Sequence, residues 1–206
     1  MARIVKKPEE RRQEIVAAAR ELFQKQQYEK TTMQDVMEKL GIAKGTIYHY
    51  FRSKEELLEA VVEQTVDEYV AGMQALLDET EGNALDRLRV LITAGNVAEE
   101  QDQLLEHLHH PGNIGVHTRQ LAVTLSKLAP LYASVIQQGC QQGVFQTEYP
   151  LECAEFLLAG IQFLTDIGFY PWNPEDLARR AMAFPALMEA QLKAPQGSFN
   201  FLIEQN

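Results

Sequence analysis

Hydrophobic residues recur along the chain at the spacing of amphipathic helices. In the first segment, Ile15, Ala18, Ala19, Leu22 and Phe23 follow the i, i+3, i+4, i+7, i+8 pattern of one buried helical face. No segment alternates convincingly with a period of two, and no β-branched run is bounded by turn residues, so we expect no sheet. The pattern indicates an all-α protein.

Start and stop signals set the approximate ends of these helices. Pro8 suits the first position of a helix. Thr32 and Ser53 are each followed three residues later by an acid, Asp35 and Glu56, as in a capping box at the start of a helix. The tail after residue 194 contains Pro195 and Gly197 and is predicted to be irregular. The predicted helices begin at Pro8 and Thr32 and then span about 43–51, 53–77, 83–98, 100–109, 116–142, 150–169 and 174–194.

The second and third predicted helices are joined by a four-residue turn, residues 40–43, that contains Gly41. Two short helices joined in this way are typical of a helix-turn-helix, whose second helix lies in the major groove of DNA. The sequence therefore predicts a recognition helix, and its outward residues are Lys44, Gly45, Thr46, Tyr48 and His49.

These outward residues suit contact with DNA. Gly45 lets the backbone come close, and the methyl and hydroxyl of Thr46 can meet base edges. Lys44 and Lys54 can neutralise phosphates, and the phenol of Tyr48 can bond to the DNA backbone. In the alternative interpretation, residues 45 and 46 merely begin a helix and the tyrosines at 48 and 50 cover the rim of a core. For the exposed set we favour DNA, because Gly-Thr is a poor helix start; for the tyrosine at 50 we favour the core rim.

Composition and charge narrow the class of protein. The chain has 206 residues, 46% hydrophobic and 23% charged, which fits one large or two small globular domains and excludes a mainly disordered polymer. Its net charge of −10 is unevenly divided. Residues 1–54 hold 12 Lys and Arg against 7 Asp and Glu, whereas residues 55–206 hold 7 against 22. A basic head on an acidic body indicates an anionic partner for the head; chance and solvated helix faces are the alternative.

The sequence predicts a cytoplasmic protein that does not enter membranes. No apolar run approaches the roughly 18–20 residues that cross a bilayer, and the charged first residues lack the apolar stretch of a secretory signal. Cys140 and Cys153 could form one disulfide, but two unpaired, partly buried thiols in a reducing compartment are the preferred interpretation.

The stretches 31–36, 40–51 and 53–58 resemble the DNA-binding domain of the TetR family of bacterial regulators. The similarity covers about residues 10–60; the rest resembles the family only in being all-helical and of the right length. The resemblance implies a homodimeric transcription regulator, usually a repressor that a small molecule releases from a palindromic operator. With the division of charge after residue 54, we predict a helix-turn-helix domain, 1–54, and an all-helical ligand-binding and dimerisation domain, 55–206.

The resemblance also implies roles for single residues. The DNA backbone would meet Thr32, Lys44, Tyr48, His49 and Lys54. Base edges would lie nearest Gln34, Gly45 and Thr46. Many members of the family have a serine where this chain has Ala43, so one hydroxyl that faces a phosphate is missing here.

Apolar residues on the last two helices form wide faces that suit a dimer interface. The resemblance places a four-helix dimer bundle there, and the alternative is that these residues fill the core of one chain. The residues are Phe156, Leu157, Ala159, Gly160, Phe163 and Leu164 on one helix, and Ala178, Ala181, Met182 and Leu187 on the other.

A small-molecule pocket is implied by the same resemblance, with the middle helices as walls. The effector-binding candidates are His107, His110, Tyr132 and Phe163, and the further lining candidates are Met73, Leu104, Leu108, Leu125 and Leu128. Residues of these types are more often plain core than ligand contacts. Four of the five histidines, His107, His109, His110 and His117, surround residues 111–113. They could cap a helix end, contact a ligand or bind a metal, although their spacing matches no standard metal site.

Two other functions compete with a regulator. One is a metalloenzyme built on the histidine cluster, and the other is an architectural protein that binds DNA without sequence preference. No nucleophile elbow, zinc-protease, phosphate-loop or dinucleotide-binding motif occurs in the sequence. We therefore expect no enzyme activity, no catalytic residues, no metal and no cofactor.

Overall fold

Eight α-helices and one short 3-10 helix form the described part of the chain. The computed structural model describes residues 7–101 and 114–204, with side chains of 96–101 excepted. No strand occurs within those two ranges. The helices are α1 (Pro8–Gln26), α2 (Met33–Leu40), α3 (Lys44–Tyr50), α4 (Lys54–Glu79), α5 (Ala84–Gln101), α6 (Ile114–Gln141), α7 (Pro150–Thr165) and α8 (Pro174–Leu192), followed by the 3-10 turn Asn200–Leu202.

The predicted helix starts are confirmed by their capping geometry. Pro8 is the first residue of α1. Thr32 and Asp35 form a reciprocal capping box at α2: the Asp35 amide donates to the Thr32 hydroxyl, and the Thr32 amide donates to the Asp35 carboxylate at 2.7 Å. Ser53 accepts the Glu56 amide at 3.1 Å, while the Glu56 carboxylate accepts the Arg52 amide. These polar side chains satisfy amides that the first helical turn leaves without partners.

Two C-terminal features differ from the sequence prediction. The helix predicted for 150–169 ends at Thr165, because Asp166 turns the chain and its Oδ1 accepts the amides of Gly168 and Phe169. The tail predicted to be irregular instead forms a 3-10 turn, and it buries Phe199 and Phe201 in the core. The helix predicted for 100–109 lies outside the described residues from position 102 onward.

Two hydrophobic cores lie along α4. The first core, in the N-terminal head, joins α1, α2 and α3 to Leu57, Leu58 and Val61 of α4 and extends to Val66. The second, in the body, begins at Met73 of the same helix and includes residues from α5 to the tail. The predicted boundary after residue 54 therefore falls at the start of a helix that both cores share.

Both cysteines are free, as the sequence predicts. Cys153 is buried and Cys140 is half-buried. They lie on either side of Thr147, whose carbonyl accepts from Cys140 and whose hydroxyl contacts the Cys153 sulfur at 3.2 Å. Among the described residues, no helix is long and apolar enough to cross a membrane.

Candidate nucleic-acid interface

The turn between α2 and α3 has the predicted conformation. Gly41 adopts the left-handed region, with φ 62° and ψ 37°, and ends α2. Its amide donates to the Glu38 carbonyl, and the Ile42 amide donates to the Met37 carbonyl. Val36 and Met37 of α2 are buried in the head core together with Ile47 of α3. Because Ile47 anchors one side of α3, the opposite side of that helix faces solvent.

The solvent side of α3 carries the residues predicted for DNA contact. Lys44, Gly45, Tyr48 and His49 are exposed, and Thr46 is half-buried. Tyr48 keeps 41% of its surface accessible, and the Lys44 ammonium lies 5.7 Å from the centre of its ring. A Cβ placed on Gly45 would meet no atom within 4 Å. The core therefore does not require glycine at this position, although a surface that must approach DNA closely would.

Gln34 of α2 and Lys44 of α3 line the same shallow groove, whose volume is about 290 Å³. Gln34 is exposed and its amide donates to the Glu38 carboxylate at 2.8 Å. Thr32 is also exposed, but its hydroxyl is already bonded to the Asp35 carboxylate at 2.9 Å. Glu38, which is not among the predicted contacts, also lines this groove, and its carboxylate removes part of the positive charge that Lys44 supplies.

The Lys54 ammonium contacts another residue of the head, which its predicted role in phosphate binding does not suggest. Its Nζ donates to the Tyr28 carbonyl at 3.0 Å and lies 4.1 Å from the centre of the Tyr28 ring. Tyr28 is buried, and burial, followed by the nearby carboxylates of Glu55 and Glu29, raises its pKa to about 12. An ammonium group has three donors, so Lys54 keeps donors beyond the one that this carbonyl accepts.

The predicted apolar faces of α7 and α8 are partly exposed in a single chain, whereas Leu157 of the same set packs against the body core. Phe156 is 72% exposed and Met182 is 63% exposed. Phe163 and Leu187 are also more than half exposed. These side chains belong neither to the head core nor to the body core, and large exposed apolar patches mark interaction surfaces.

The four effector candidates have different outcomes. His107 and His110 lie outside the described residues, as do Leu104, Leu108 and His109. Tyr132 is buried in the body core, and its hydroxyl lies with that of Tyr69 over Gly95 of α5, 3.9 Å and 3.2 Å from where a Cβ would stand. Phe163 lies on the exposed face of α7, with its ring against Phe169. Tyr132 and Phe163 thus lie in different surroundings.

His117 is the one member of the predicted histidine cluster that the described ranges include. It is 1% exposed, and its Nε2 lies 2.9 Å from the Asp166 carboxylate. Its ring stacks on Phe169, with centres 5.1 Å apart. No group of three potential metal-binding side chains was found within the described ranges. Sequence spacing gives no signal for this pair, because its members are 49 positions apart on different elements.

The protein combines a helix-turn-helix, whose recognition helix is exposed and polar, with a helical body that has an exposed apolar face. This combination is typical of DNA-binding regulators. Residues 15–61 match the family described as bacterial regulatory proteins, tetR family. Residues 94–187 match the tetracyclin repressor-like C-terminal domain. The chain belongs to the TetR family of transcriptional regulators.

Relatives of known sequence support this assignment over most of the chain. The HTH-type transcriptional regulator YfiR of Bacillus subtilis is 30% identical in an alignment of 179 positions that covers 76% of this chain and 79% of that protein. The HTH-type transcriptional repressor KstR2 of Mycolicibacterium smegmatis is 23% identical in an alignment of 199 positions that covers 92% of this chain and 94% of the repressor.

Solved structures share the fold. A TetR-family regulator from Pectobacterium atrosepticum has a TM-score of 0.67 at 23% identity and covers 92% of this chain and 97% of its own. The regulator FadR from Bacillus subtilis, solved in complex with stearoyl-CoA, has a TM-score of 0.57 at 19% identity, covering 87% of this chain and 97% of its own.

Proposed function

We propose that the protein is a cytoplasmic repressor that binds a palindromic operator as a homodimer and leaves it when a small molecule binds the body. The observation that carries the DNA-binding part is the exposed polar side of α3, opposite the buried Ile47. The name of the KstR2 relative supports repression. The alternative of a histidine-cluster metalloenzyme gains no support from His117, which lies against a carboxylate inside the body.

The exposed residues of the head have two proposed roles on DNA. Thr32, Lys44, Tyr48, His49 and Lys54 contact the sugar-phosphate backbone and fix the register of the head. Gln34, Gly45 and Thr46 lie nearest the base edges and select the sequence. Gln34 and Lys44 line one groove from two helices, which supports contact of both with a single stretch of DNA.

Dimerisation is proposed to use the exposed apolar faces of α7 and α8. One helix-turn-helix reads one half-site, and two half-sites about one turn of DNA apart require two heads. Phe156 and Met182 support this interface because they are large, apolar and accessible in one chain. Among the described residues, no atom lies within 4 Å of where a Cβ on Gly160 of α7 would stand, so none of them requires a glycine there.

The effector is proposed to bind in the body, near the two tyrosine hydroxyls that lie over Gly95. Met73, Leu128 and Leu131 are buried in the same core, so a ligand would meet apolar side chains and a few hydroxyl groups. Acyl-CoA thioesters are a first ligand class to screen, because the FadR structure holds stearoyl-CoA. His107 and His110 stay candidate polar contacts.

Two glycine variants test the DNA-binding role. Gly45→Ala should leave the fold intact and raise stability slightly, because a Cβ there meets nothing and alanine favours helix. It should nevertheless weaken operator binding, since the methyl group would stand between α3 and DNA. Gly72→Ala on α4 is the matched control, because its Cβ also meets nothing.

The operator sequence is first identified by selecting the DNA that the full-length protein binds from a random pool. Affinities of both variants are then measured by fluorescence anisotropy, and unfolding by circular dichroism. Loss of operator affinity in Gly45→Ala alone supports the proposal. Equal affinity in the two variants would remove Gly45 from the interface, and a pool without an enriched sequence would favour the architectural alternative.

A further inference from the structure

The first turns of α6 lie between the DNA-binding head and the corner that joins α7 to α8. Val116 and His117 are neighbours in this segment and contact different parts of the molecule. Val116 packs against the head core, whereas His117 is buried against Asp166 and Phe169 of the corner. Two adjacent side chains thus connect two regions that are far apart in sequence.

On the head side, α6 reaches the end of the recognition helix. Val116 and Arg119 line a cavity of about 260 Å³ together with Tyr50, the last residue of α3, and Phe51. Arg119 also lies 3.1 Å from the Glu59 carboxylate of α4. The arginine side chain is 65% exposed, so water screens this ion pair and weakens it. Because the ion pair is weak, the apolar contact of Val116 with the head core is the firmer link between α6 and the head.

On the corner side, the contact is buried and specific. The His117 side chain is 1% exposed and Asp166 is 8% exposed, with His117 Nε2 2.9 Å from Oδ2. The other oxygen, Oδ1, accepts the Gly168 and Phe169 amides at 2.7 Å and 3.2 Å. One carboxylate therefore both shapes the corner and holds His117. A buried charged group without its partner is costly, so this contact resists displacement more than the exposed pair does.

The corner continues into the exposed apolar face. Phe169, which stacks on His117, lies 5.4 Å from Phe163 of α7 between ring centres. Phe163, Ile167 and Tyr170 are 56–57% exposed. Any partner subunit that covers this face touches the corner to which His117 is bound.

We propose that His117 is a positioning residue for operator binding: through Asp166 and Phe169 it ties the first turn of α6 to the dimer face, and through Val116 that turn sets where the recognition helix stands. This inference rests on the proposed dimer. Removing the polar contact between His117 and Asp166 leaves the dimer assembled but lets the distance between its two heads vary. The dimer then no longer requires one particular separation between the two half-sites of the operator.

Two substitutions at His117 separate its polar contact from its ring. His117→Phe keeps an aromatic ring over Phe169 and removes the nitrogen that meets Asp166. His117→Gln keeps a side-chain N–H for Asp166 and removes the ring. Leu88→Ala, in the body core but away from the corner, controls for general destabilisation. Asp166→Asn, which retains Oδ1 for the two amides, replaces His117→Phe if that variant does not fold.

The readout is the dependence of affinity on operator geometry. Each full-length protein is titrated with operators whose half-site separation changes one base pair at a time, and its mass is measured by sedimentation. A spin label is attached to the exposed position 24 through Gln24→Cys, in a Cys140→Ser, Cys153→Ser background. The labels of the two subunits report the distance between the heads.

We expect His117→Phe to remain dimeric, to lose about tenfold in affinity for the best operator and to discriminate less between separations. Its head-to-head distances should broaden, and His117→Gln should restore most of the wild-type profile. A wild-type spacing profile and distance distribution in His117→Phe would overturn the proposal and leave His117 a stability residue. A monomeric wild type, or one that selects no operator, would instead contradict the proposed function.

Discussion

The ring of Phe145 occupies the space that a side chain at Gly139 would need. Gly139 lies near the end of α6 and is buried, and a Cβ built there would overlap the Phe145 ring. The Gly139 carbonyl also accepts the amides of Val144 and Phe145, so the chain turns back onto this glycine. Close backbone approach, not a left-handed conformation, is the reason for glycine at this position.

Gly139→Ala should therefore destabilise the body. We expect the free energy of unfolding to fall by about 1–3 kcal/mol, since overpacking exceeds the gain in helix propensity. Urea unfolding followed by circular dichroism measures it. Gly72→Ala, where the added Cβ meets nothing, should be neutral or stabilising. Equal stability of the two variants would mean that Phe145 moves aside without cost.

Tyr28 should make stability depend on alkaline pH. Its pKa is raised to about 12 in the folded protein, above the value of about 10 for an unfolded chain. The unfolded state loses its proton first, so stability falls as pH rises from about 10 to about 12 and is fully present below that window. We expect a loss of order 1–2 kcal/mol that Tyr28→Phe abolishes. Parallel pH slopes of wild type and Tyr28→Phe would contradict it.

Lys54 and Lys44 should differ in what their removal changes. Lys54→Ala deletes the hydrogen bond to the Tyr28 carbonyl and the interaction with its ring, so it should lower stability by about 1 kcal/mol as well as weaken DNA binding. Lys44→Ala should weaken DNA binding alone, because its ammonium lies over the exposed Tyr48. Removing one lysine–phosphate interaction per head should reduce the log–log salt slope by about 0.9 for that phosphate.

Anisotropy titrations at several salt concentrations, with unfolding curves for each variant, measure both effects. If Lys54→Ala lowered stability but left the salt slope unchanged, Lys54 would stabilise the head without contacting a phosphate.

A charge on the exposed face of α7 should break the dimer. Phe156 is 72% exposed in one chain, so Phe156→Glu should leave the stability of the single chain nearly unchanged. The dimer would bury the introduced carboxylate in the interface and remove its hydration. Association should therefore weaken at least tenfold. Tyr48→Glu is the control, since Tyr48 is 41% exposed and lies on α3 of the head. Sedimentation equilibrium decides: identical dimer constants for both variants would place the interface elsewhere.

Local sequence signals predict the helix-turn-helix well because each depends on a few adjacent residues. Thr32 and Asp35 are three positions apart, and their capping box forms as the sequence indicates. Gly41 ends α2 in the left-handed conformation that glycine tolerates best. The burial of Ile47 follows from helical spacing, and it determines which side of α3 is exposed.

Interactions between distant segments do not follow from such patterns. Lys54 meets the Tyr28 carbonyl 26 positions away, so its charge alone suggests only a phosphate contact. Asp166 ends α7 by accepting amides after the helix, where a continuing apolar pattern predicts four more helical residues. Sequence position groups His117 with the other histidines, although its partner belongs to the corner after α7.

Because α4 supplies both cores, the DNA-binding head is not an exchangeable cassette. A polypeptide ending at residue 54 would lack Leu57, Val61 and Val66, which close the head's interior, and would expose that interior to water. A chimera that grafts this head onto another regulator's body must carry α4 at least to Val66. It must also supply apolar residues equivalent to Val116 and Val123, since these two side chains of the body pack against the head.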